Sequence, residues 1–299
     1  MVAEHADRRE PSIRRVRAVV NPMSGSVGPG AADQLEALFA EFGLDHAVHL
    51  IVDGDVETAA RAAIDAAPDL VVVVAGDGTA RLVADLCGPT GPLVAPLSGG
   101  TMNKLGHAIY GPTPWREALA CVLAGGQVRW ISRGDVDGRG FYCSAVLGSP
   151  VLWAKSREAI RVGKLGRAWV HAGVAFRRTF VGRLRYRFDS ADAGRALAIG
   201  LICPLMSRVF DDQAGALEAA ALDVRSAKAG LRLALTTVLS DWRDDPDVTV
   251  RPCVGGRVWS RESIHAMLDG ELFRLGRETR IGFTSQAFRA LAPAAGEAT

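Results

Sequence analysis

A continuous apolar run from Leu70 to Ala75, in which four of the six residues are valine, constrains the fold more than any other feature. A strand of this composition is typical of a sheet that is buried on both faces. The run leads directly into Gly76-Asp77-Gly78-Thr79, a glycine-rich turn of the kind that joins a strand to a helix. The combination predicts an α/β domain built on a parallel sheet.

Strands and helices alternate through residues 1–126. Apolar periodicity predicts strands at residues 17–20, 46–52, 70–75 and 93–96. It predicts helices at residues 31–42, 56–66, 79–86, 102–109 and 115–124. This order favours a doubly wound parallel sheet with helices on both faces, which is a common nucleotide-binding architecture.

The pattern changes after residue 126. Short β-rich segments occur at residues 128–133, 141–146, 184–188, 197–203, 231–239, 248–252 and 257–259, and one helical stretch covers residues 166–180. Residues 127–283 are therefore predicted to form an antiparallel β-sandwich domain. The predicted fold class is α/β followed by all-β.

Charge and cysteine content exclude several functional classes. Lys plus Arg total 35 and Asp plus Glu total 33, so the net charge of +2 disfavours a dedicated nucleic-acid-binding protein. No apolar run approaches the length of a membrane span, and the charged N-terminus lacks the features of a secretory signal. The five cysteines include no Cys-x-x-Cys pair, which predicts reduced thiols and a cytoplasmic location.

Three turns rich in glycine each follow a predicted strand of the parallel sheet. Because the carboxyl ends of parallel strands meet at one edge, the backbone N–H groups of these turns could together cradle phosphate oxygens. The absence of a P-loop and of Gly-x-Gly-x-x-Gly disfavours P-loop enzymes and conventional dinucleotide-binding dehydrogenases. The predicted nucleotide-binding residues are Asn21, Ser24, Gly25, Gly76, Asp77, Gly78, Thr79, Ser98, Gly99, Gly100, Thr101 and Asn103.

Each turn taken alone also has a purely structural interpretation. Asn21-Pro22 is typical of an Asx or proline turn, and Gly76-Asp77 of a tight turn with an aspartate cap. Thr79 could cap the following helix or donate to a phosphate. Asp77 cannot bind an anion directly, so its carboxylate points to Mg²⁺ binding or proton transfer.

The order of these motifs resembles the diacylglycerol kinase catalytic domain family. The chain reads Asn-Pro-x-Ser-Gly from Asn21, Gly-Asp-Gly-Thr from Gly76 and Gly-Gly-Thr-x-Asn from Gly99. Leu268-Asp269-Gly270-Glu271 resembles the family's C-terminal Asp-Gly-Glu, and residues 163–169 its Lys-x-Leu-Gly helix start. The family includes bacterial lipid kinases and the sphingosine and ceramide kinases, and it is related to NAD kinases.

The resemblance implies an ATP-dependent and Mg²⁺-dependent lipid kinase with two domains. The last strand, at about residues 284–299, would return to the ATP-binding domain. Asp269 is implied as the general base with Glu271 beside it in the Mg²⁺ network, and Asp77 is the rival base. The metal candidates are Asp77 and Glu271. On an extended segment Asp269 and Glu271 would face the same way, although Asp-Gly alone is equally typical of an exposed hairpin turn.

The sequence departs from the family pattern at three places. Ala75 replaces a glycine, and Lys104 follows Asn103 where many members have aspartate. Residues 218–223 read Glu-Ala-Ala-Ala-Leu-Asp where many bacterial members read Asp-Asp-Gly-x-Leu-Asp. The second departure disfavours a metal or hydroxyl contact at that position, and the third predicts that the secondary Mg²⁺ site of some members is missing.

A basic segment predicts contact with a membrane. Residues 157–187 hold nine Arg or Lys and one acidic residue. Within it, Lys164, Arg167, Trp169 and Phe176 are the predicted lipid-contacting residues of a basic amphipathic helix. The alternatives are a helix packed in the core with solvated arginines, and a nucleic-acid patch, which no accompanying motif supports.

The sequence thus predicts transfer of the ATP γ-phosphate to the hydroxyl of diacylglycerol or a related lipid. The expected partner is lipid at the inner face of the membrane, without nucleic acid, and a homodimer is left open. Two alternatives remain: an NAD kinase-like enzyme with a soluble substrate, and a catalytically silent nucleotide- or lipid-binding module.

Overall fold

The computed structural model describes residues 11–28, 30–148, 184–207, 209, 215–223, 243 and 245–294. The chain forms two compact units. Unit 1 comprises Met1–Ser132 and Ser285–Thr299, and unit 2 comprises Arg133–Thr284. The domain boundaries expected from the sequence lie at residues 126/127 and 283/284.

Unit 1 contains the parallel sheet that the sequence predicts. Its strands are β1 (Arg15–Val20), β2 (Asp45–Leu50), β3 (Leu70–Ala75) and β4 (Leu93–Ser98), in the order β2-β1-β3-β4. Its helices are α1 (Ala31–Glu41), α2 (Val56–Asp65), α3 (Asp77–Cys87), α4 (Lys104–Tyr110) and α5 (Trp115–Gly125). The α/β prediction is confirmed.

The valine-rich strand β3 lies at the centre of this sheet. All six residues of β3 are buried, and β3 pairs in parallel with β1 on one side and β4 on the other. Val20 lies opposite Val74, and Ala75 lies opposite Ser98. The three strands therefore end at the same edge, where the loops that follow them meet.

Unit 2 is built from antiparallel strands. They are β5 (Gln127–Val136), which begins in unit 1, β6 (Arg139–Phe141), β7 (Ser144–Gly148), β8 (Leu184–Phe188), β9 (Gly194–Ala196), β10 (Ala198–Ile202), β11 (Leu217–Leu222), β12 (Val248–Cys253), β13 (Gly255–Trp259), β14 (His265–Leu268), β15 (Glu271–Arg274) and β16 (Glu278–Ala292), which ends in unit 1. One sheet has the order β12-β11-β10-β7-β14-β15. In the other, β16, β13, β8 and β9 are successive neighbours.

The two sheets of unit 2 share one apolar core. Phe188 from β8 and Val258 from β13 belong to the same buried cluster as Leu201 from β10 and Leu268 from β14. This arrangement confirms the predicted antiparallel domain. The predicted strand at residues 231–239 and the predicted helix at residues 166–180 lie outside the described residues.

The last strand returns to the parallel sheet of unit 1, as the family resemblance implies. Ala290 of β16 pairs in parallel with Val94 of β4. The buried Tyr110 hydroxyl at the end of α4 donates a 2.8 Å hydrogen bond to the Leu291 carbonyl oxygen. A hydrogen bond between residues 181 positions apart thus links the C-terminal strand to helix α4.

We expect Tyr110→Phe to lower the free energy of unfolding by about 1–2 kcal/mol, because it removes a buried hydrogen bond without opening a large cavity. Chemical denaturation measures this change. Tyr186→Phe is the matched control, since the described residues include no hydrogen-bond partner for the Tyr186 hydroxyl. Equal stabilities for the two variants would show that the bond to Leu291 contributes nothing.

All five cysteines are free thiols, and only Cys121 is exposed. Burial raises the pKa of the Cys87 thiol to about 12, and burial raises the pKa of Cys253 to a similar value. We therefore expect a thiol reagent at pH 8 to label Cys121 rapidly and the other four only on unfolding. Rapid labelling of more than one thiol in the native protein would contradict the described burial.

Within the described residues, no helix is both long enough and apolar enough to cross a membrane.

Candidate active site

The loops after β1, β3 and β4 come together at one edge of the unit 1 sheet. The Asn21 N–H donates to the Val74 carbonyl, which joins the first loop to the end of β3. The Gly99 N–H donates to the Ala75 carbonyl, which joins the third loop to the second. The three glycine-rich motifs therefore form one continuous backbone surface, as the strand order requires.

Ser26 ties the first loop to the third. Its hydroxyl donates to the Gly100 carbonyl at 2.9 Å, and its N–H donates to the Gly99 carbonyl at 3.2 Å. Ser26 is not among the site residues predicted from the sequence. Its position directly after Ser24-Gly25 is the only signal that could have indicated it.

Gly100 approaches the second loop so closely that no side chain fits there. A Cβ atom at Gly100 would lie 2.6 Å from Gly76 Cα and 3.3 Å from Asn103 Oδ1. At Gly99 a Cβ would lie 2.6 Å from the Ala75 nitrogen. These two glycines are thus required by backbone packing, independently of any ligand.

Asn103 closes the third loop on itself. Its Oδ1 accepts the Gly100 N–H at 2.6 Å, and its Nδ2 donates to the Gly100 carbonyl at 2.9 Å. Asn103 is the N-cap of α4 and has a φ of 49°, so α4 begins at Lys104 and not at the predicted residue 102. A contact between Asn103 and a phosphate or sugar stays a prediction, because its amide group is already engaged by the loop.

The amino end of α3 has no side-chain cap. Gly76 is the N-cap residue and cannot supply a capping oxygen. Thr79 lies buried inside the first turn, so the expectation that Thr79 could cap α3 is wrong. Uncapped N–H groups together with the helix dipole favour an anion at this position.

The remaining hydroxyl candidates have different surroundings. Thr101 is exposed, and its Oγ1 lies 3.9 Å from where a Gly25 Cβ would be. A Cβ at Gly106 would lie 2.7 Å from Ser98 Oγ, so the Ser98 hydroxyl packs against α4. Ser24 lies half-buried in the first loop, where its N–H donates to the Asn21 carbonyl.

Asp77 is held by the neighbouring helix. Its Oδ1 accepts the Leu105 N–H at 3.1 Å, at the first turn of α4, where an acidic group is favoured by the helix dipole. Its Oδ2 has no hydrogen-bond partner among the described residues. The carboxylate is therefore fixed at the glycine loops with one oxygen available to a ligand.

This arrangement fits Mg²⁺ held together with a nucleotide. The described residues include no group of three His, Cys, Asp or Glu side chains that could enclose a metal. Mg²⁺ usually keeps several waters and is bound by one or two carboxylates plus substrate phosphates. One free oxygen of Asp77 beside the glycine-rich loops and the uncapped end of α3 meets that requirement.

Asp269 lies in unit 2, in the two-residue turn between β14 and β15. Asp269 and Gly270 have φ values of 47° and 100°, and Leu268 pairs with Glu271 on either side of them. These are the positive φ values of a tight hairpin turn, for which Asp-Gly is a favoured pair. The backbone of this motif therefore forms a hairpin turn, as the structural interpretation of Asp-Gly predicts.

The Asp269 carboxylate is not left in solvent by this turn. Its Oδ1 accepts the N–H groups of Cys143 and Ser144 at 3.0 and 2.9 Å, and its Oδ2 accepts the Tyr142 N–H at 2.7 Å. Three backbone donors thus fix both oxygens between β6 and β7. A carboxylate in this position is well oriented, and it also holds the turn in place.

The expectation that Asp269 and Glu271 face the same way along an extended segment is wrong. Asp269 is in the turn, whereas Glu271 is the first residue of β15 and is exposed. The alternation of side chains applies only within a strand, and the chain reverses between these two residues. A role for Glu271 in a Mg²⁺ network stays a prediction.

We expect Asp269→Asn to lower both turnover and stability, because an amide NH₂ would face at least one backbone N–H and leave it unpaired. An unsatisfied buried donor costs about 1–3 kcal/mol. Thermal unfolding and steady-state kinetics measure the two effects separately, and ATP binding should persist. Full activity in a destabilised variant would exclude Asp269 as the base and leave it a structural role alone.

Glu218 is the first residue of the third departure from the family pattern, residues 218–223. An arginine of the same unit balances its charge. Glu218 is fully buried in β11, where Arg243 Nη2 lies 3.1 Å from Glu218 Oε2 and Arg243 Nε approaches Oε1. The Ser207 hydroxyl also donates to Oε2. The guanidinium therefore supplies the positive charge that a buried carboxylate requires.

The four predicted lipid-contacting residues, Lys164, Arg167, Trp169 and Phe176, lie outside the described residues. Of the basic segment 157–187, the structure describes only residues 184–187, which are part of β8.

Comparisons with known proteins agree with this geometry. Residues 15–136 match the family model of the diacylglycerol kinase catalytic domain. A crystal structure of a diacylglycerol kinase from Bacillus anthracis has a TM-score of 0.70, at 15% identity over 95% of this chain and 98% of that one. No curated protein matches the sequence.

NAD kinases share the fold at lower similarity. Yeast NADH kinase complexed with NADH has a TM-score of 0.53, at 12% identity over 94% of this chain and 84% of that one. An NAD kinase from Archaeoglobus fulgidus in complex with ATP has a TM-score of 0.52, at 14% identity over 93% and 94%. These likenesses confirm the two-part fold predicted from the sequence.

Proposed function

We propose that this chain, whose residues 15–136 match the family model of the diacylglycerol kinase catalytic domain, is a kinase that transfers the γ-phosphate of ATP to a lipid hydroxyl. Diacylglycerol or a related lipid is the proposed acceptor. The single observation that carries the proposal is the convergence of three glycine-rich loops beside an uncapped helix.

The loops supply what phosphoryl transfer chiefly requires, which is positioning and neutralisation of charge. Backbone N–H groups around Gly25, Gly76 and Gly78 would bind the phosphate oxygens, and the amino end of α3 would add its dipole. ATP is the proposed donor, and the fold neighbour from Archaeoglobus fulgidus, which is in complex with ATP, supports that choice.

Asp77 would hold the proposed Mg²⁺ through its free oxygen while its other oxygen stays on the Leu105 N–H. When bound, the ion would neutralise phosphate charge and keep the phosphates in register. The hydrogen bond from α4 keeps the carboxylate from turning away when no nucleotide is present.

In the proposed reaction the acceptor hydroxyl oxygen forms a bond to the γ-phosphorus. The bond from that phosphorus to the bridging oxygen breaks, and ADP leaves with the electron pair. The hydroxyl proton passes to a carboxylate, for which Asp269 is our first candidate and Asp77 the rival. Asp269 is proposed on the family resemblance, and three backbone N–H groups hold its carboxylate in one orientation.

An acceptor panel tests this proposal. Purified protein is incubated with γ-labelled ATP and Mg²⁺, with one acceptor per reaction in mixed micelles: diacylglycerol, monoacylglycerol, ceramide, a sphingoid base or an undecaprenol-like alcohol. Label in one lipid supports the proposal and identifies the acceptor, and α-labelled ATP should give none. Absence of label from every lipid, with ATP still bound, would favour a silent module.

A further inference from the structure

The sheet of unit 2 that contains β8, β9, β13 and β16 presents an exposed side formed mainly by arginine. The opposite side of the same strands is apolar and lies in the core, for example at Tyr186, Phe188 and Val258. We call the exposed side the arginine face, and it consists of Arg185, Arg187, Arg195, Arg257, Trp259, Glu278 and Arg280.

Strand register places these side chains in two rows. In the first row, Arg187 lies opposite Arg257, and Arg257 lies opposite Arg280. Neighbouring strands are about 4.8 Å apart, so this row spans roughly 10 Å. The second row runs from Arg195 through Arg185 and Trp259 to Glu278. The face is thus a flat array and not a pocket.

Little of this positive charge is neutralised. Arg257 pairs with Glu278 at 3.3 Å, and both side chains are more than half exposed. Five arginines and one glutamate leave a net charge of +4. Within the described residues, Arg187, Arg195 and Arg280 make no ion pair.

The surroundings reduce this charge only slightly. On the neighbouring strand β5, Arg133 and Asp135 lie 3.7 Å apart and add no net charge. The exposed Asp137, just after β5, accepts the Arg280 N–H at 3.4 Å and adds one negative charge. Arg185 lies over the Trp259 ring, with its Cζ 5.7 Å from the ring centroid, which leaves its charge in place. Among the described residues of unit 2, the arginine face thus keeps a net positive charge.

Folding alone gives no reason for this pattern. Like charges directly opposite each other on neighbouring strands are destabilising, and the first row contains two such contacts. An anionic surface outside the chain would convert that repulsion into attraction. The arrangement is therefore expected of a binding surface and not of an inert one.

We propose that the arginine face docks on the anionic surface of a phospholipid bilayer. A flat array suits a flat partner, and a half-buried tryptophan among arginines suits the boundary between headgroups and acyl chains. The choice of lipid also rests on the proposed function, because a lipid acceptor must be reached at a bilayer.

Vesicle co-sedimentation without ATP tests the proposal. The probes are phosphatidylcholine vesicles with and without about 30% phosphatidylglycerol, a fraction chosen to give a substantial negative surface potential. We expect the wild-type protein to prefer the anionic vesicles, and salt to weaken binding. Arg187→Gln/Arg257→Gln/Arg280→Gln should bind about 100-fold more weakly.

Two matched variants control for folding and for total charge. Arg14→Gln/Arg61→Gln/Arg116→Gln removes three exposed charges from unit 1 and should bind within about threefold of wild type. The triple substitution of Arg187, Arg257 and Arg280 by Lys keeps the charge and should also retain binding. The glutamine variant should melt no lower than wild type, because it removes repulsion.

Three results would overturn the proposal: equal binding of the glutamine variant and wild type, equal loss in the unit 1 control, or wild-type preference for duplex DNA over anionic vesicles. Failure of the proposed kinase activity is distinguishable from these. In that case no lipid would accept label, whereas vesicle binding and its dependence on the three arginines would still be measured.

Discussion

Asp77→Asn is expected to reduce kcat by at least about 100-fold while leaving the fold nearly unchanged. Both roles open to Asp77, holding Mg²⁺ and accepting a proton, require a carboxylate. Asparagine removes the charge but retains an Oδ1 that can accept the Leu105 N–H. Asp77→Asn therefore tests the catalytic role of the carboxylate without disturbing the fold. Asp269→Asn cannot do so, because three backbone N–H donors face that carboxylate.

The matched control is Asp33→Asn. Asp33 is an exposed aspartate in the first turn of α1, so it shares with Asp77 the residue type and a place in the first turn of a helix. Its kcat should stay within about twofold of wild type, as expected for a surface substitution away from the site. Activity of Asp77→Asn within threefold of wild type would exclude Asp77 from both roles.

Gly100→Ala is expected to weaken ATP binding by about tenfold to 100-fold, the range that follows from losing one charge-assisted hydrogen bond worth about 1.5–3 kcal/mol. The new Cβ would lie 2.6 Å from Gly76 Cα, so the second and third loops must separate. Separation would displace the N–H groups that are proposed to bind phosphate. Isothermal titration with ATP measures the change.

Gly125→Ala is the control for the glycine substitution itself. Gly125 ends α5, and a Cβ there would have no neighbour within 4 Å. Alanine reduces the conformational entropy of the unfolded chain, so that variant should be at least as stable as wild type. Its affinity for ATP should be unchanged. Unaltered ATP affinity in Gly100→Ala would mean that the third loop does not bind the phosphates.

The sequence was sufficient for unit 1 because its signals are local. All six residues of the valine-rich strand β3 are buried, and a parallel strand flanks β3 on each side. The loops after β1, β3 and β4 are rich in glycine. The start of α4 was predicted two residues early because Asn103 adopts a positive φ to close its loop. No periodicity rule detects such a conformation.

The missed features of unit 2 and of the site depend on distant contacts. Strand β11 reads Leu-Glu-Ala-Ala-Ala-Leu, and alanine has a low strand propensity, so burial between β10 and β12 determines its conformation. The return of β16 beside β4 has no local signal and followed only from the family resemblance. The bonds that hold Asp269 come from residues about 125 positions earlier.

The most direct test of the account is a competition for phosphate in one tube. The protein is incubated with γ-labelled ATP, Mg²⁺, diacylglycerol in mixed micelles and an equal concentration of NAD, and label is counted in the organic and aqueous products. We expect label in the lipid and its loss in Asp77→Asn. Label in NAD but not in the lipid would contradict it and identify an enzyme that acts on a soluble nucleotide.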